Sequence, residues 1–82
     1  MAYLYILKSL KYQKLYVGST IDLEHRLIEH NSGLSTYTKL YLPWNIIYKE
    51  EHEDIREARK REKYFKSCAG RKFIKNKINI PG

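Results

Sequence analysis

Tyr3-Leu4-Tyr5-Ile6-Leu7 is aromatic or aliphatic at every position. It is too short for a helix and is followed by the polar connector Lys8 to Lys14, so it predicts a buried strand. Leu15-Tyr16-Val17-Gly18 predicts a second short strand, and a connector of this length lets it return antiparallel beside the first. In such a hairpin Tyr5 and Tyr16 share one face, while Leu4, Ile6, Leu15 and Val17 fill the other. Ser19 or Thr20 can cap the next segment, which opens at Asp22 and runs to Asn31 or Ser32, before Gly33. That segment is the first helix. Gly33 to Leu42 is a polar loop ended by Pro43, and Trp44 to Glu50 predicts a third strand with Trp44, Ile46 and Tyr48 on one face. Asp54 can cap a long helix over Ile55 to Lys66, closed near Gly70, and Arg71 to Asn79 forms a shorter last helix before Pro81-Gly82. The resulting order is that of a small α/β domain.

Both longer helices place polar residues where the pattern calls for apolar ones. In the second, Ile55, Ala58, Phe65 and Ala69 form one apolar stripe and Glu62 falls in its middle. Burying an unpaired carboxylate costs several kcal/mol, so Glu62 needs a partner. Two readings are open: a structural pair with Arg26 or a base of its own helix, or a Mg²⁺ held by one carboxylate, waters and substrate phosphate oxygens. In the first helix Leu23 and Leu27 define the core-facing stripe, with Arg26 and His30 one turn apart on its edge. An Arg there offers a fixed fork for a phosphate, and a His beside it a base near neutral pH. The bland alternatives are an Arg stem lying over Leu27 and a surface His. Gly18, directly after Tyr16, leaves room for a ligand backbone to approach.

At 82 residues the chain has room for one core and one domain over 1-82. The 43% hydrophobic content exceeds that of a disordered tail. No apolar run reaches the roughly 20 residues of a membrane span, and Met1 to Leu10 lacks a charged leader before an apolar stretch; a cytoplasmic address and no membrane partner are expected. A lone Cys68 forms neither an internal bridge nor a zinc knuckle. Charge is what changes the picture. Of the formal +7, the segment Arg56 to Lys77 holds ten basic residues against Glu57 and Glu62, a net +8, and the remainder sums to −1. A surface that tracks phosphates carries such a footprint, and its binding should weaken steeply with salt. A solvated helix face or an acidic protein partner are the competing explanations.

Tyr3-Leu4-Tyr5, Tyr16-Val17-Gly18, Arg26 ten positions after Tyr16, His30 one turn later and Glu62 on a following helix together resemble the GIY-YIG nuclease family. The likeness extends through Glu29-His30-Asn31-Ser32-Gly33, Tyr37-Thr38-Lys39, Pro43-Trp44 and Arg61-Glu62-Lys63, and is greatest to the small stand-alone bacterial members. Tyr3 stands where the family name has Gly, Val17 where it has Ile, and Leu40-Tyr41-Leu42 replaces a stretch that is often basic. Either Asn76 or Asn79 corresponds to a family asparagine. The resemblance implies a three-stranded antiparallel sheet flanked by helices, and an endonuclease that hydrolyses DNA phosphodiester bonds in repair or processing. It implies catalytic roles for Tyr5, Tyr16, Arg26, His30 and Glu62, with Mg²⁺ or Mn²⁺ on Glu62. Lys39, Arg71, Lys72, Lys75, Asn76 and Lys77 are the expected nucleic-acid contacts. The expected partner is DNA, branched, flapped or single-stranded, bound by a monomer. A non-catalytic nucleic-acid-binding module with the same fold is the alternative.

Overall fold

The computed structural model describes residues 1–34 and 36–78, with side chains described as far as Ile74. The expected contacts Lys75, Asn76 and Lys77, and the alternative asparagine Asn79, lie outside the described side chains. Strands β1 (Ala2–Ser9), β2 (Leu15–Thr20) and β3 (Trp44–His52) form one antiparallel sheet in the order β2-β1-β3. Helix α1 (Leu23–Asn31) and a 3₁₀ turn (Thr38–Tyr41) separate β2 from β3, and α2 (Ile55–Phe65) and α3 (Cys68–Ile78) follow. The expected α+β class and three-stranded antiparallel sheet are therefore found, and the 3₁₀ turn lies inside the segment expected to be an unstructured loop.

As the central strand, β1 must be apolar on both faces, which explains why its sequence does not alternate. Leu4, Ile6 and Leu7 are fully buried, each contributing about 1.5–3 kcal/mol of burial. Instead of the one core expected there are two apolar clusters, one per face. Leu4, Ile6 and Val17 pack with Phe65 and Ile74 of α2 and α3, whereas Tyr5, Leu7 and Trp44 pack with Leu23 and Leu27 of α1 and with Tyr41. The thin three-stranded sheet is covered on both sides.

Trp44, Ile46 and Tyr48 do not share a face, contrary to the strict alternation read from the sequence. Ile6 pairs with Tyr48 and Leu7 with Ile46, so Ile47 is an extra residue, a β-bulge. Trp44 and Ile46 stay with the α1 cluster, and Ile47 and Tyr48 turn to the α2 side. Asn31 anchors the start of this strand: its side-chain carbonyl accepts from the Trp44 N–H at 2.7 Å and its amide donates to the Trp44 carbonyl at 3.2 Å.

Helix ends follow elementary capping, with two corrections. Asp22, not Ser19 or Thr20, caps α1 by accepting from the His25 N–H at 3.1 Å, and Asp54 caps α2 as expected, accepting from Glu57 at 3.0 Å. Helix α2 stops at Phe65, and Gly70 does not close it. Gly70 lies inside α3, which starts at Cys68 because the Ser67 hydroxyl receives the Gly70 N–H at 3.3 Å. Any Cβ at Gly70 would run into the backbone of Tyr64 and Phe65, so glycine sets how closely the two helices cross. The break also moves Ala69 off the predicted stripe and into solvent.

Helix α2 is tied to β3 by a polar network. Arg61 grips both carboxylate oxygens of Glu50 at 2.9 and 2.8 Å, Tyr48 donates to Glu50 at 2.6 Å, and His52 Nε2 lies 3.1 Å from it. The Arg61 guanidinium also stacks over Phe65, 4.7 Å from its centroid. With Arg61 as the main cause, the Glu50 carboxyl is held well below its ordinary 4.5, at about 2. As pH falls below 4.5 the unfolded chain takes up this proton first, so the stability Glu50 contributes is complete above that value and lost toward pH 2. Glu50→Gln should therefore lower stability at pH 7 by on the order of 2 kcal/mol, since Arg61 is partly solvated. It should also flatten the acid limb of a urea-denaturation series between pH 5 and 2; an unchanged limb would refute the assignment.

Candidate active site

The face of the sheet that carries α1 holds an aromatic and imidazole cluster. Tyr5 lies opposite Gly18 in the β1–β2 ladder and Leu7 opposite Tyr16, so Tyr5, Gly18 and Tyr16 share that face. The Tyr5 and Tyr16 ring centroids are 6.3 Å apart. Gly18 does not hold a place open for a ligand backbone, as its position suggested; the Tyr5 ring itself fills the space. A Cβ on Gly18 would sit 2.5 Å from the Tyr5 hydroxyl oxygen and 2.6 Å from its ring carbon.

Burying the Tyr5 phenol obliges its hydroxyl to find partners. His30 Nε2 lies 3.0 Å from it, and His30 Nδ1 lies 2.9 Å from the hydroxyl of Thr38 in the 3₁₀ turn. His30 and Thr38 are both wholly shielded from solvent, so His30 is not the stripe-edge or surface residue the helix pattern placed there. The Thr38 carbonyl in turn receives the Trp44 indole N–H at 2.7 Å. Arg26 lies beside the Tyr5 hydroxyl and raises its own basicity by that contact. A guanidinium only donates, so any approach of Arg26 to the phenol oxygen favours the phenol donating to Nε2, the tautomer in which Nδ1–H donates to Thr38.

Burial pushes Tyr5 up to about 12, and the neighbouring Arg26 only partly offsets it. Burial, then the Arg26 charge, pushes His30 below its ordinary 6.5. At neutral pH Tyr5 is a phenol and His30 a neutral imidazole. Tyr16 differs from both: it is half-buried, its ring lies 4.8 Å from that of His30, and its hydroxyl makes no hydrogen bond among the described residues.

Glu62 approaches from the opposite face. Ser19, one step along β2 from Gly18, points toward α2 and donates to Glu62 Oε1 at 2.6 Å, while Lys66 holds Oε2 at 2.6 Å. The carboxylate is 24% exposed, at the edge of the helical stripe and not in a core slot, because α2 crosses the edge strand there. Its partner among the two foreseen is the base of its own helix, not Arg26. Arg59, Lys63 and Lys66 surround Glu62 in a shallow hollow. The two halves of the site thus meet at Gly18-Ser19, close enough for the Glu62 charge to raise the Tyr5 proton affinity.

Of the expected nucleic-acid contacts, Lys39 is exposed on the 3₁₀ turn and Arg71 and Lys72 on α3. Ser19, Thr38 and Lys66 were not singled out from the sequence as site residues. The available signals were a hydroxyl on the helix-facing side of β2 and a lysine one turn after Glu62.

Residues 1–79 match the family model described as the GIY-YIG catalytic domain. The chain belongs to the GIY-YIG family. It is 39% identical to a UPF0213 protein of Staphylococcus saprophyticus over 74 residues, 89% of each chain, and 45% identical to one of Clostridium perfringens over 67 residues, 80% of this chain and 71% of that one. The solution NMR structure of a UPF0213 protein of Bacillus halodurans covers 89% of this chain and 79% of its own, with a TM-score of 0.52 and 29% identity. GIY-YIG domains form a nuclease family, which points to an endonuclease acting on DNA, and they generally use divalent metals. Among the described residues no three His, Cys, Asp or Glu side chains converge on one point, and no helix is long and apolar enough to cross a membrane. A hydrated Mg²⁺ needs only one or two carboxylates when phosphate oxygens complete its shell. Glu62 fits that role once the half-exposed Lys66 swings off Oε2.

Two outcomes follow from the buried cluster. Gly18→Ala should displace the Tyr5 hydroxyl from His30 and cost about 1–3 kcal/mol through overpacking, seen as a lower denaturation midpoint; a midpoint equal to that of the parent would contradict the packing. Because folded His30 has the lower proton affinity, the unfolded chain protonates first as pH drops below 6.5, so stability present above that value is lost on acidification until the folded value is passed. The fall in melting temperature between pH 7 and 5.5 should therefore shrink in His30→Gln relative to the parent.

Proposed function

We propose that this domain is a divalent-metal-dependent DNA endonuclease, directed by the backbone or structure of DNA and serving repair or processing in the cytoplasm. The observation that carries this reading is the convergence of Tyr5, Tyr16, Arg26 and His30 with Glu62 around Gly18-Ser19 of β2. Water attacks phosphorus, one P–O ester bond breaks, and the leaving oxygen gains a proton. Tyr16, whose hydroxyl no described group occupies, orients the attacking water. Arg26, 36% exposed and steadied by Glu29 at 3.7 Å, reaches out to a non-bridging phosphate oxygen. Tyr5 holds Arg26 in that direction, and His30, sealed from solvent with both nitrogens engaged, fixes Tyr5. His30 is a positioning residue in this scheme, and its candidacy as the base passes to Tyr16.

Glu62, with Ser19 orienting one oxygen, would hold a Mg²⁺ or Mn²⁺, which when bound supplies positive charge to the phosphoryl and leaving oxygens. Arg59, Lys63 and Lys66 around it draw the DNA backbone, and Lys39, Arg71 and Lys72 extend that attraction. Contacts of this kind carry no base sequence, which favours structure-directed cutting. The grip of Lys66 on Glu62 is the one feature favouring a non-catalytic binding module.

Glu62→Gln separates the two. The exposed i,i+4 pair with Lys66 contributes about 0.3–0.5 kcal/mol, and an amide can still accept from Ser19, so the melting temperature should hold. Nicking of plasmid DNA in Mg²⁺ or Mn²⁺ should fall at least a hundredfold. Parent protein that binds DNA without metal-dependent nicking, or a variant that nicks as the parent does, overturns the catalytic assignment.

A further inference from the structure

A cleft of about 700 Å³ runs along the outer edge of β2 between the 3₁₀ turn and the α2–α3 corner. Phe65 forms its floor, Tyr16 and Tyr37 stand on one side, and Lys14, Lys66 and Arg71 lie at its rim; among the described residues no acidic side chain lines it. Tyr37 is 43% exposed, with its ring 6.1 Å from that of Tyr16 and inclined by 31°. Among the described residues the sheet ends here, so β2 also presents backbone N–H and C=O groups with no described strand beyond them.

Lys14 and Arg71, neither of which meets a carboxylate among the described residues, select an anionic occupant, while Lys66 is already paired with Glu62. Aromatic walls over an apolar floor select a flat, largely apolar body, and the open strand edge can hydrogen-bond its rim. An unpaired nucleotide has all three attributes, and basic grooves with stacking rings are how single strands are held. A base inside a duplex has its faces stacked and its edge paired, so a duplex could touch the rim cations alone. A neutral apolar peptide would leave Lys14 and Arg71 without counter-charges.

We propose that this cleft seats one unpaired nucleobase beside the phosphate to be cut, so that the domain selects DNA with an unpaired nucleotide at the cleavage point. Tyr16 belongs to both the cleft and the candidate active site, which puts the seated nucleotide next to the attacked phosphorus. Only the placement at the cut rests on the nuclease reading.

The test is a binding titration of the full chain in EDTA, using a short single strand with one 2-aminopurine and a blunt duplex of the same sequence with that base paired. The single strand should bind at least tenfold more tightly, with fluorescence falling as the base stacks. Tyr37→Ala, checked for an unchanged melting temperature, should weaken single-strand binding by about tenfold and leave duplex binding alone, and Tyr37→Phe should restore it. Lys14→Glu, at an exposed position, should likewise weaken the single strand more than the duplex. Equal affinity for the two DNAs without a fluorescence change overturns the proposal, as does single-strand affinity indifferent to both Tyr37→Ala and Lys14→Glu. Preferential, quenched binding without nicking in Mg²⁺ or Mn²⁺ would overturn the nuclease reading and retain the seat for the base. Nicking of blunt duplex as fast as single strand would do the reverse.

Discussion

A phenol hydroxyl buried in the central strand of a three-stranded sheet is the constraint on which the rest of this site depends. Tyr5 is almost wholly shielded from water, and its oxygen must be satisfied by protein. Each partner then needs its own support: His30 meets the phenol through Nε2 and Thr38 through Nδ1, and the Thr38 carbonyl is tied to Trp44, whose backbone Asn31 clamps. The chain of bonds links β1, α1, the 3₁₀ turn and β3. Its terminus is Arg26, partly solvated and backed by a neutral imidazole and a neutral phenol. A second cation there would oppose it, and burial first, then the Arg26 charge, keeps His30 from becoming one.

The other face is organised by a different interaction. Glu50 and Arg61 lock α2 against β3, and Glu62, the next residue, is thereby aimed past the edge of β2 at Ser19. The aromatic cluster and the carboxylate are thus held by separate supports on opposite faces. They meet only where β2 has its smallest residue. Gly18 lets the Tyr5 ring close the gap between them.

What the sequence disclosed and what it hid follow the range of the interactions. The shared face of Tyr5 and Tyr16 was legible because a period of two fixes it, and the Asp54 cap because it acts over three residues. The family motif supplied the three-stranded topology, which local pattern could only suggest. The bulge was hidden because Ile46 and Ile47 are both apolar, so either register buries a suitable side chain. Glu50 with Arg61 and Ser19 with Glu62 were hidden because they join distant elements, and a charged strand residue looks the same from sequence whether solvated or paired. The burial of His30 was missed for a related reason: helical spacing put it on the stripe edge, and only the partners that Thr38 and Tyr5 offer make the interior acceptable for an imidazole. Glu62 erred in the opposite direction, since the stripe it sits on runs off the edge of the sheet.

The bulge at Ile47 has a consequence for how the chain length can vary. Removing one residue there would restore strict alternation and force a choice between the two halves of β3. Either Trp44 and Ile46 would leave the α1 cluster, or Tyr48 and Glu50 would leave the side of α2 and let go of Arg61. Lys11 to Lys14 is exposed, and an added residue there would be absorbed by loop closure at small cost. Among proteins of this architecture, single-residue insertions and deletions should therefore collect in the β1–β2 connector and be excluded from the middle of β3, where one residue of length keeps both halves of the site facing the right way.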